Sequence, residues 1–323
     1  MKSLDHYWYN KNLLAWLLWP LSLLFCLLVW CRRWAYKSAV FKSYKAAKPV
    51  IIIGNISVGG TGKTPLIIAL SGLLNSWGYK VGIISRGYGG HADWPYQLTA
   101  SSQAAACGDE PVQLFQRTGL PIVVGPDRLA DAQLLCQQNN IDIILADDGL
   151  QHYRLQRDLE LVVIDNERGF GNGFCLPAGP LREPVSRLGK DSWRIYNGGD
   201  QAYSFQIRPL SVKHLKSGDS QSLDDFKADT VHAVAGIGNP QRFFTMLRSM
   251  GLTIIEHAFA DHHQFSDDDL SFDDAFAVLM TEKDSVKCQA TDNDKLWFVT
   301  IDIVLTEQFV NDLKTQVGKL TNG

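Results

Sequence analysis

Apolar positions along this chain fall into three regimes. Residues 13–30 read LLAWLLWPLSLLFCLLVW, with no charge among them. From 49 to 166, short apolar runs alternate with stretches of helical spacing. PVIIIGNIS (49–57), KVGIIS (80–85), PIVVG (121–125), IDIILADD (141–148) and LELVVIDN (159–166) predict strands, and residues 65–78, 111–119 and 127–139 predict the helices between them. Continuous rather than alternating apolar runs, each followed by a helix, indicate a parallel sheet covered on both faces. Between about 167 and 230 the pattern weakens. FGNGFCLPAGPLREP reads as loop, and SFQIRPLSVKHL (204–215) alternates poorly and reads as an extended linker. A second set then begins: strands at 231–235, 252–259, 276–284 and 295–305, a helix at 241–251 and a C-terminal helix. No internal repeat is present.

These elements predict an α/β fold: a P-loop NTPase-like, mostly parallel sheet with helices on both faces, a second smaller α/β lobe and an N-terminal hydrophobic helix. The boundaries fall at 1–48 for the anchoring helix and its basic flank, 49–200 for the core, 201–230 for the linker and 231–323 for the second lobe. The chain of 323 residues, 46% hydrophobic and 20% charged, is long enough for such a core. Its net charge of -3 carries no polyanion-binding signature, so no nucleic-acid partner is expected. Six cysteines, at 26, 31, 107, 136, 175 and 288, form no CxxC or zinc-finger spacing and read as free thiols.

The first apolar run changes the picture. Eighteen residues rise about 27 Å as a helix, close to the roughly 30 Å hydrocarbon core of a bilayer. Trp16, Trp19 and Trp30 suit its interface. Arg32, Arg33, Lys37, Lys42, Lys45 and Lys48 follow the run, whereas Lys2, Asp5 and Lys11 precede it. That excess keeps the C-terminal side in the cytoplasm, and it is the reverse of a cleaved signal peptide. A buried core helix is one rival reading. A helix lying flat at the interface is another, because Pro20 interrupts a run of minimal length.

The candidate chemistry begins at Ser57-Val58-Gly59-Gly60-Thr61-Gly62-Lys63-Thr64, which follows a predicted strand and precedes a predicted helix. That is the setting of a Walker A loop, in which backbone N–H groups and a helix N-terminus surround a phosphate. Lys63 then reaches the β- and γ-phosphates and Thr64 places its hydroxyl on Mg²⁺. The usual first glycine is Ser57 here. No NKxD-type guanine reader is present, which favours ATP over GTP. Asp147 and Asp148 close an apolar strand, where a Walker B carboxylate sits; the bland alternative is a solvated strand end. Asp109 and Glu110 stand at a predicted helix start, where capping alone is a sufficient reason for acids.

Eight motifs occur in order: SVGGTGKTP, SRGYGG (85–90), GDEP (108–111), GPDR (125–128), DDGLQH (147–152), PAGPLREP (177–184), FADHHQF (259–265) and MTEKD (280–284). With the N-terminal apolar helix they resemble the tetraacyldisaccharide 4'-kinases of Gram-negative bacteria. The resemblance runs to Asp284 at least. It implies ATP-dependent phosphorylation of the 4'-hydroxyl of a tetraacyl glucosamine disaccharide 1-phosphate, giving the lipid A precursor lipid IVA. It also implies two α/β/α lobes with the nucleotide at their cleft, ATP and Mg²⁺ as cofactors, and a monomer at the cytoplasmic side of the inner membrane.

Residue by residue, the resemblance makes Asp109 and His262 the dyad that activates the sugar hydroxyl. Glu110, Asp147 and Asp148 join Thr64 as candidates for Mg²⁺. Arg128 is placed to offset charge on the transferring phosphoryl group, and Arg182 and Glu183 are weaker candidates for nucleotide or metal contacts. Gln151 and His152 take no chemical role. His263 adjoins His262, and Asp261-His262-His263 also reads as a metal cluster. SRGYGG, with Arg86, is either a tight loop or part of the cleft wall. An anchor fits a lipid substrate confined to the bilayer, and the basic flank suits an anionic leaflet. Two rival readings stand beside it: a membrane-associated P-loop ATPase acting as a conformational switch, and a P-loop kinase or ligase for a soluble metabolite.

Overall fold

The computed structural model describes residues 5–10, 12–189, 192–288 and 291–321; Lys2 and Lys11 of the predicted N-terminal flank lie outside them. Among the described residues thirteen strands form a single sheet. In chain order they are β1 (Val50–Gly54), β2 (Val81–Ser85), β3 (Tyr96–Gln97), β4 (Ile122–Val124), β5 (Ile143–Asp147), β6 (Leu159–Asp165), β7 (Trp193–Asn197), β8 (Ser204–His214), β9 (Ser220–Gln221), β10 (Thr230–Ala235), β11 (Thr253–Ala258), β12 (Val278–Thr281) and β13 (Leu296–Leu305). The spatial order is β11-β10-β12-β13-β8-β7-β6-β1-β5-β2-β4-β3, with β9 on the side of β8. Pairing is parallel from β4 to β8 and from β13 to β11, and antiparallel at β3–β4, β8–β9 and β8–β13.

β1 shows why the continuous apolar runs fold this way. Every residue of it is buried. Ile51 and Ile53 face Leu66, Ile67, Leu70 and Leu74 of the helix Lys63–Ser76. Val50 and Ile52 face Leu129, Ala132 and Leu135 of the helix Arg128–Gln138 on the other side. A strand between two helical layers has no solvent face, so the period-2 polar alternation is absent. In the half beyond β8, Phe243, Phe244 and Leu247 of the helix Pro240–Ser249 cover one face, while Leu270 and Cys288 pack on the other.

Two features lie where the sequence pattern was weak. β7 was absent from the predicted strands: of WRIYN only Ile195 and Asn197 are buried, too little apolar alternation to announce a strand. The predicted linker, 201–230, contains β8, which pairs with β7 on one side and along nearly its full length with β13 on the other. The final helix, Glu307–Thr321, returns to the first half. Its Phe309, Leu313 and Val317 share a core with Leu66 and Ile67.

The N-terminal apolar segment is a 25-residue helix, Leu13–Lys37, capped by the Asn12 side chain and continuing through Pro20. It is long and apolar enough to cross a membrane, with a mean hydropathy of 2.2 and 11% of that stretch buried. A core helix would be mostly covered, so that reading fails. One side of the helix rests on the body: Ala15 and Ser22 are buried, Ser22 Oγ donates to the Cys175 carbonyl at 2.8 Å, and Trp16 meets Phe174 edge-on at 5.3 Å. The opposite side exposes Leu13, Leu17, Leu21, Leu24 and Leu28 in one stripe.

Phe205 on β8 is fully buried between the sheet and the turn at Gly62. Phe205→Ala is expected to cost about 3–5 kcal/mol of stability. Denaturant unfolding followed by tryptophan fluorescence measures it; a loss below 1 kcal/mol would show that β8 does not carry this core.

Candidate active site

A cleft of about 730 Å³ opens where the two halves of the sheet meet. From the first half it is lined by the loop 58–65, Ser85 and Arg86 at the end of β2, Asp109 and Glu110, Asp147 and Asp148 at the end of β5, and Arg182. From the other half come Gly238 and Asn239 after β10, Asp261 and His262 after β11, and Thr281 to Lys283 at the end of β12. These positions follow the C-terminal ends of parallel strands, where ligands of open α/β sheets bind.

The loop 57–64 joins β1 to the helix Lys63–Ser76 as the sequence predicts. Gly62 is the N-cap with φ +92°, left-handed backbone that an L side chain resists, and a Cβ there would lie 2.5 Å from Asn197 Nδ2. The start of the loop is tied to the PAGPLREP segment, Val58 N–H donating to the Pro180 carbonyl at 2.8 Å. Asn55 organises the interior: its Nδ2 donates to the Ser57 carbonyl at 2.7 Å, and its Oδ1 accepts from Lys63 Nζ at 3.1 Å. Lys63 Nζ also lies 3.6 Å from Asp148, which accepts from Arg182 at 2.8 Å.

The two strand-end acids are therefore unequal. Burial disfavours the Asp148 charge, but Lys63 and Arg182 outweigh it and hold the carboxyl down at about 2. Asp147 is pushed up to about 7, by burial first and then by Glu110, against the pull of Lys63. Ser85 Oγ donates to its Oδ2 at 2.9 Å. Oδ1 of each acid is buried with no hydrogen-bond partner. Asp148 has φ +48°, a strained conformation that Asp tolerates better than most residues.

Across the cleft, His262 Nδ1 meets Asp109 Oδ2 at 3.1 Å. Asp109 starts the helix Asp109–Thr118 and is 7% exposed. Gly108 before it has φ +91°, and a Cβ there would lie 2.7 Å from the Tyr88 carbonyl, so the SRGYGG loop packs directly under GDEP. Arg86 and Tyr88 of that loop line the cleft, and the Tyr88 ring lies 5.2 Å from His262. Burial works against ionised Asp109, but the His262 hydrogen bond and Lys283 hold its pKa below the usual carboxylate value. That same hydrogen bond raises His262, against burial and Lys283. Lys283 Nζ stands between the acids, 3.0 Å from Glu110, 3.3 Å from Asp261 and 4.0 Å from Asp109. Burial opposes its charge, yet Glu110, Asp109 and Asp261 push its pKa up.

His263 points elsewhere, to Asp269 at 3.1 Å among Phe259 and Phe265, so the histidine facing Asp109 is His262. Among the described residues no three His, Cys, Asp or Glu side chains close on a common point, which removes the Asp261-His262-His263 metal cluster. Mg²⁺ needs no such cage, because it keeps waters and takes one or two carboxylates together with phosphates. Asp147 Oδ1, which has no hydrogen-bond partner, and Asp148 Oδ1, which faces Lys63 Nζ at 3.6 Å, with Thr64 lining the same cleft, are a donor set of that kind.

Not every predicted residue reaches the cleft. Arg128 is 2% exposed and turned inward, donating to the Ser85 carbonyl at 2.7 Å and to Asp131 at 3.2 Å. It braces the backbone after β2 and β4 and does not stand where a phosphoryl group would be. Glu183 is likewise buried, held by Arg187, Gln151 and Tyr153. Asn55, Lys283, Asn197 and Arg242 also line the cleft or hold its loop, and none of them is a predicted site residue. Lys283 stood in a quoted motif without a role. The other three carry no signal outside the folded geometry.

The family model described as Tetraacyldisaccharide-1-P 4'-kinase matches residues 14–318. A protein named tetraacyldisaccharide 4'-kinase from Nitrosococcus oceani is 48% identical over 306 residues, spanning 94% of this chain and 90% of its own length. One of the same name from Pseudomonas fluorescens is 45% identical over 319 residues, spanning 97% and 95%. The crystal structure of LpxK from Aquifex aeolicus in complex with ATP superposes with a TM-score of 0.79 at 25% identity, covering 96% of this chain and all of that one.

The Asp109–His262 pair makes stability pH-dependent in two windows. The raised His262 pKa contributes stability that is full below its unfolded value near 6.5 and fades as pH rises through the folded value. The lowered Asp109 pKa contributes above its unfolded value near 3.9 and fades as pH falls through the folded one. Asp109→Asn removes the carboxylate, so the His262 titration followed by NMR is expected to move down. An unchanged His262 midpoint would mean that the hydrogen bond does not form in solution.

Proposed function

This chain belongs to the tetraacyldisaccharide 4'-kinase family, and on that premise we propose how its own residues perform the reaction. The enzyme transfers the γ-phosphoryl group of ATP to the 4'-hydroxyl of the acylated glucosamine disaccharide 1-phosphate of lipid A biosynthesis. The observation that carries the residue assignment is the Asp109–His262 pair, set in the same cleft as Lys63 and Thr64. A hydroxyl is a weak nucleophile. Asp109, ionised and hydrogen-bonded to His262, accepts its proton as the bond to the γ-phosphorus forms and the bond from that phosphorus to the bridging oxygen breaks, ADP leaving, and His262 holds the carboxylate in place.

The loop 57–64 binds the triphosphate through its N–H groups, with Lys63 at the β- and γ-phosphates and Arg182 on the flank. Thr64, Asp147 and Asp148 would hold Mg²⁺, with Glu110 as a further acid lining the same cleft. When bound, the ion neutralises charge on the phosphates. Lys63 now pairs with Asp148, and a triphosphate gives it a stronger partner. A switch ATPase needs the loop but has no use for a base and histidine facing it, so the transfer reading is preferred.

The proposed membrane assignment rests on the Leu13–Lys37 helix. Its contacts run along its length, from Ser22 on Cys175 to Tyr36 beside Tyr153. They support a helix that lies in the interface of an anionic leaflet, with its leucine stripe down and the catalytic body on the cytoplasmic side of the inner membrane. The proposed working unit is a monomer.

Purified protein with Mg-ATP is expected to transfer ³²P to the disaccharide 1-phosphate in mixed micelles. Folded protein without transfer would end the kinase reading. Lys63→Ala should abolish the activity, and Asp109→Ala should lower kcat by about two to four orders of magnitude; near-normal turnover would remove Asp109 from the chemistry. Leu17→Glu combined with Leu24→Glu should release the protein from anionic vesicles in a flotation assay while the fold persists. Retention at the wild-type level would rule out the leucine stripe as the bilayer contact.

A further inference from the structure

The helix Pro240–Ser249 sends one cation to the cleft, and that cation does not stand free. Arg242 Nη1 donates to Asp165 Oδ2 at 3.1 Å, and Nη2 donates to Asn197 Oδ1 at 2.7 Å. Asp165 ends β6 and Asn197 ends β7, adjacent residues in the parallel register, and both side chains are buried. The chain of contacts continues through the amide: Asn197 Nδ2 donates to the Thr61 carbonyl at 3.0 Å. The next residue is Gly62, whose absent Cβ is what leaves room for Nδ2. The loop before the same helix also touches the phosphate loop, with a Cβ on Gly238 falling 3.2 Å from Gly60 N.

Donor and acceptor logic makes this arrangement specific. Arginine only donates and a carbonyl only accepts. A side chain between them must accept at one end and donate at the other, which an amide does and a carboxylate does not. Arg242 thereby fixes which way round the Asn197 amide sits, and the amide fixes the backbone one residue before Gly62-Lys63-Thr64.

We propose that Arg242 and Asn197 are positioning residues for the nucleotide: the helix of the far half sets the phosphate loop through Asn197, without contact between Arg242 and the phosphates. This inference rests on the kinase reading of the cleft. Disturbing either residue loosens the carbonyl of Thr61 and the turn at Gly62, and with them the grip on the triphosphate. The lipid side of the cleft, at Asp109 and His262, is untouched.

The test measures binding of a fluorescent ATP analogue with Mg²⁺ and no lipid, beside the KM values for ATP and for the lipid. Arg242→Met and Asn197→Ala should each weaken analogue binding on the order of tenfold, the scale of one lost charge-assisted or buried hydrogen bond. The KM for ATP should rise in step while the KM for the lipid holds. The double variant should bind within about twofold of Asn197→Ala, because both changes break one route. Multiplying effects, on the order of a hundredfold, would show that Arg242 acts on the nucleotide directly and would overturn the proposal. Asn197→Asp is the near-isosteric check: it keeps the Arg242 contact but turns an oxygen toward the Thr61 carbonyl. It should bind as weakly as Asn197→Ala, and wild-type affinity would also overturn the proposal. A wild-type chain that bound the analogue but phosphorylated nothing would instead count against the kinase reading.

Discussion

Asp109, Glu110, Asp147, Asp148 and Asp261 all face one cleft, with Lys63, Arg182 and Lys283 standing between them. Two like charges 4 Å apart repel by about 4 kcal/mol in surroundings of intermediate polarity, so the cations are a condition for the acids to share the space. Lys63 and Arg182 hold the Asp148 pKa down, while burial and Glu110 push that of Asp147 up. Across the cleft Lys283 holds the acids of two segments together. Each cation arrives from a different element: Lys63 from the helix after β1, Arg182 from the PAGPLREP loop, Lys283 from the segment after β12. The fold serves to bring those three elements to one place.

It does so through a sheet whose direction reverses once on the path between the halves. β8 continues the parallel run from β7 and pairs antiparallel with β13, the longest pairing in the molecule. The return of the helix Glu307–Thr321 to the core under Lys63–Ser76 ties the chain's end to its nucleotide-binding start. Asp148 and His262, on opposite walls of the cleft, both hold left-handed backbone. Strain of this kind persists only where the surroundings over-determine it, and here those surroundings are the ion pairs and the Asp109 hydrogen bond.

The sequence made the sheet of the first half legible because its strands are buried on both faces and its helices present apolar stripes. The phosphate loop was legible for a different reason: glycines at set spacing leave few alternatives. β7 was not legible, since its value to the fold lies in Asn197 rather than in apolar residues. Arg128 shows the opposite failure. A motif marked it for the cleft, but the Ser85 carbonyl and Asp131 claim its guanidinium. Arg242, Asn197 and Lys283 act through partners far away in the chain, and no local pattern records such partnerships. In the sequence only the Asp-His order marks His262 out from His263; in the structure the direction of each ring does so, His262 toward Asp109 and His263 toward Asp269.

Tyr9, a few residues before the apolar helix begins, lines the cleft and lies under the Arg168 guanidinium at 5.2 Å. The mouth of the catalytic cleft is thus built partly from the lead-in to the helix. On the proposed reading, in which that helix lies in a bilayer interface, the mouth would settle with it, at a fixed height. A headgroup standing on lipid tails would be met at that height with each lateral encounter, and a free sugar, which keeps no height, would be passed by. Selection for lipid would then be partly a matter of altitude, exercised before any contact with the substrate is made.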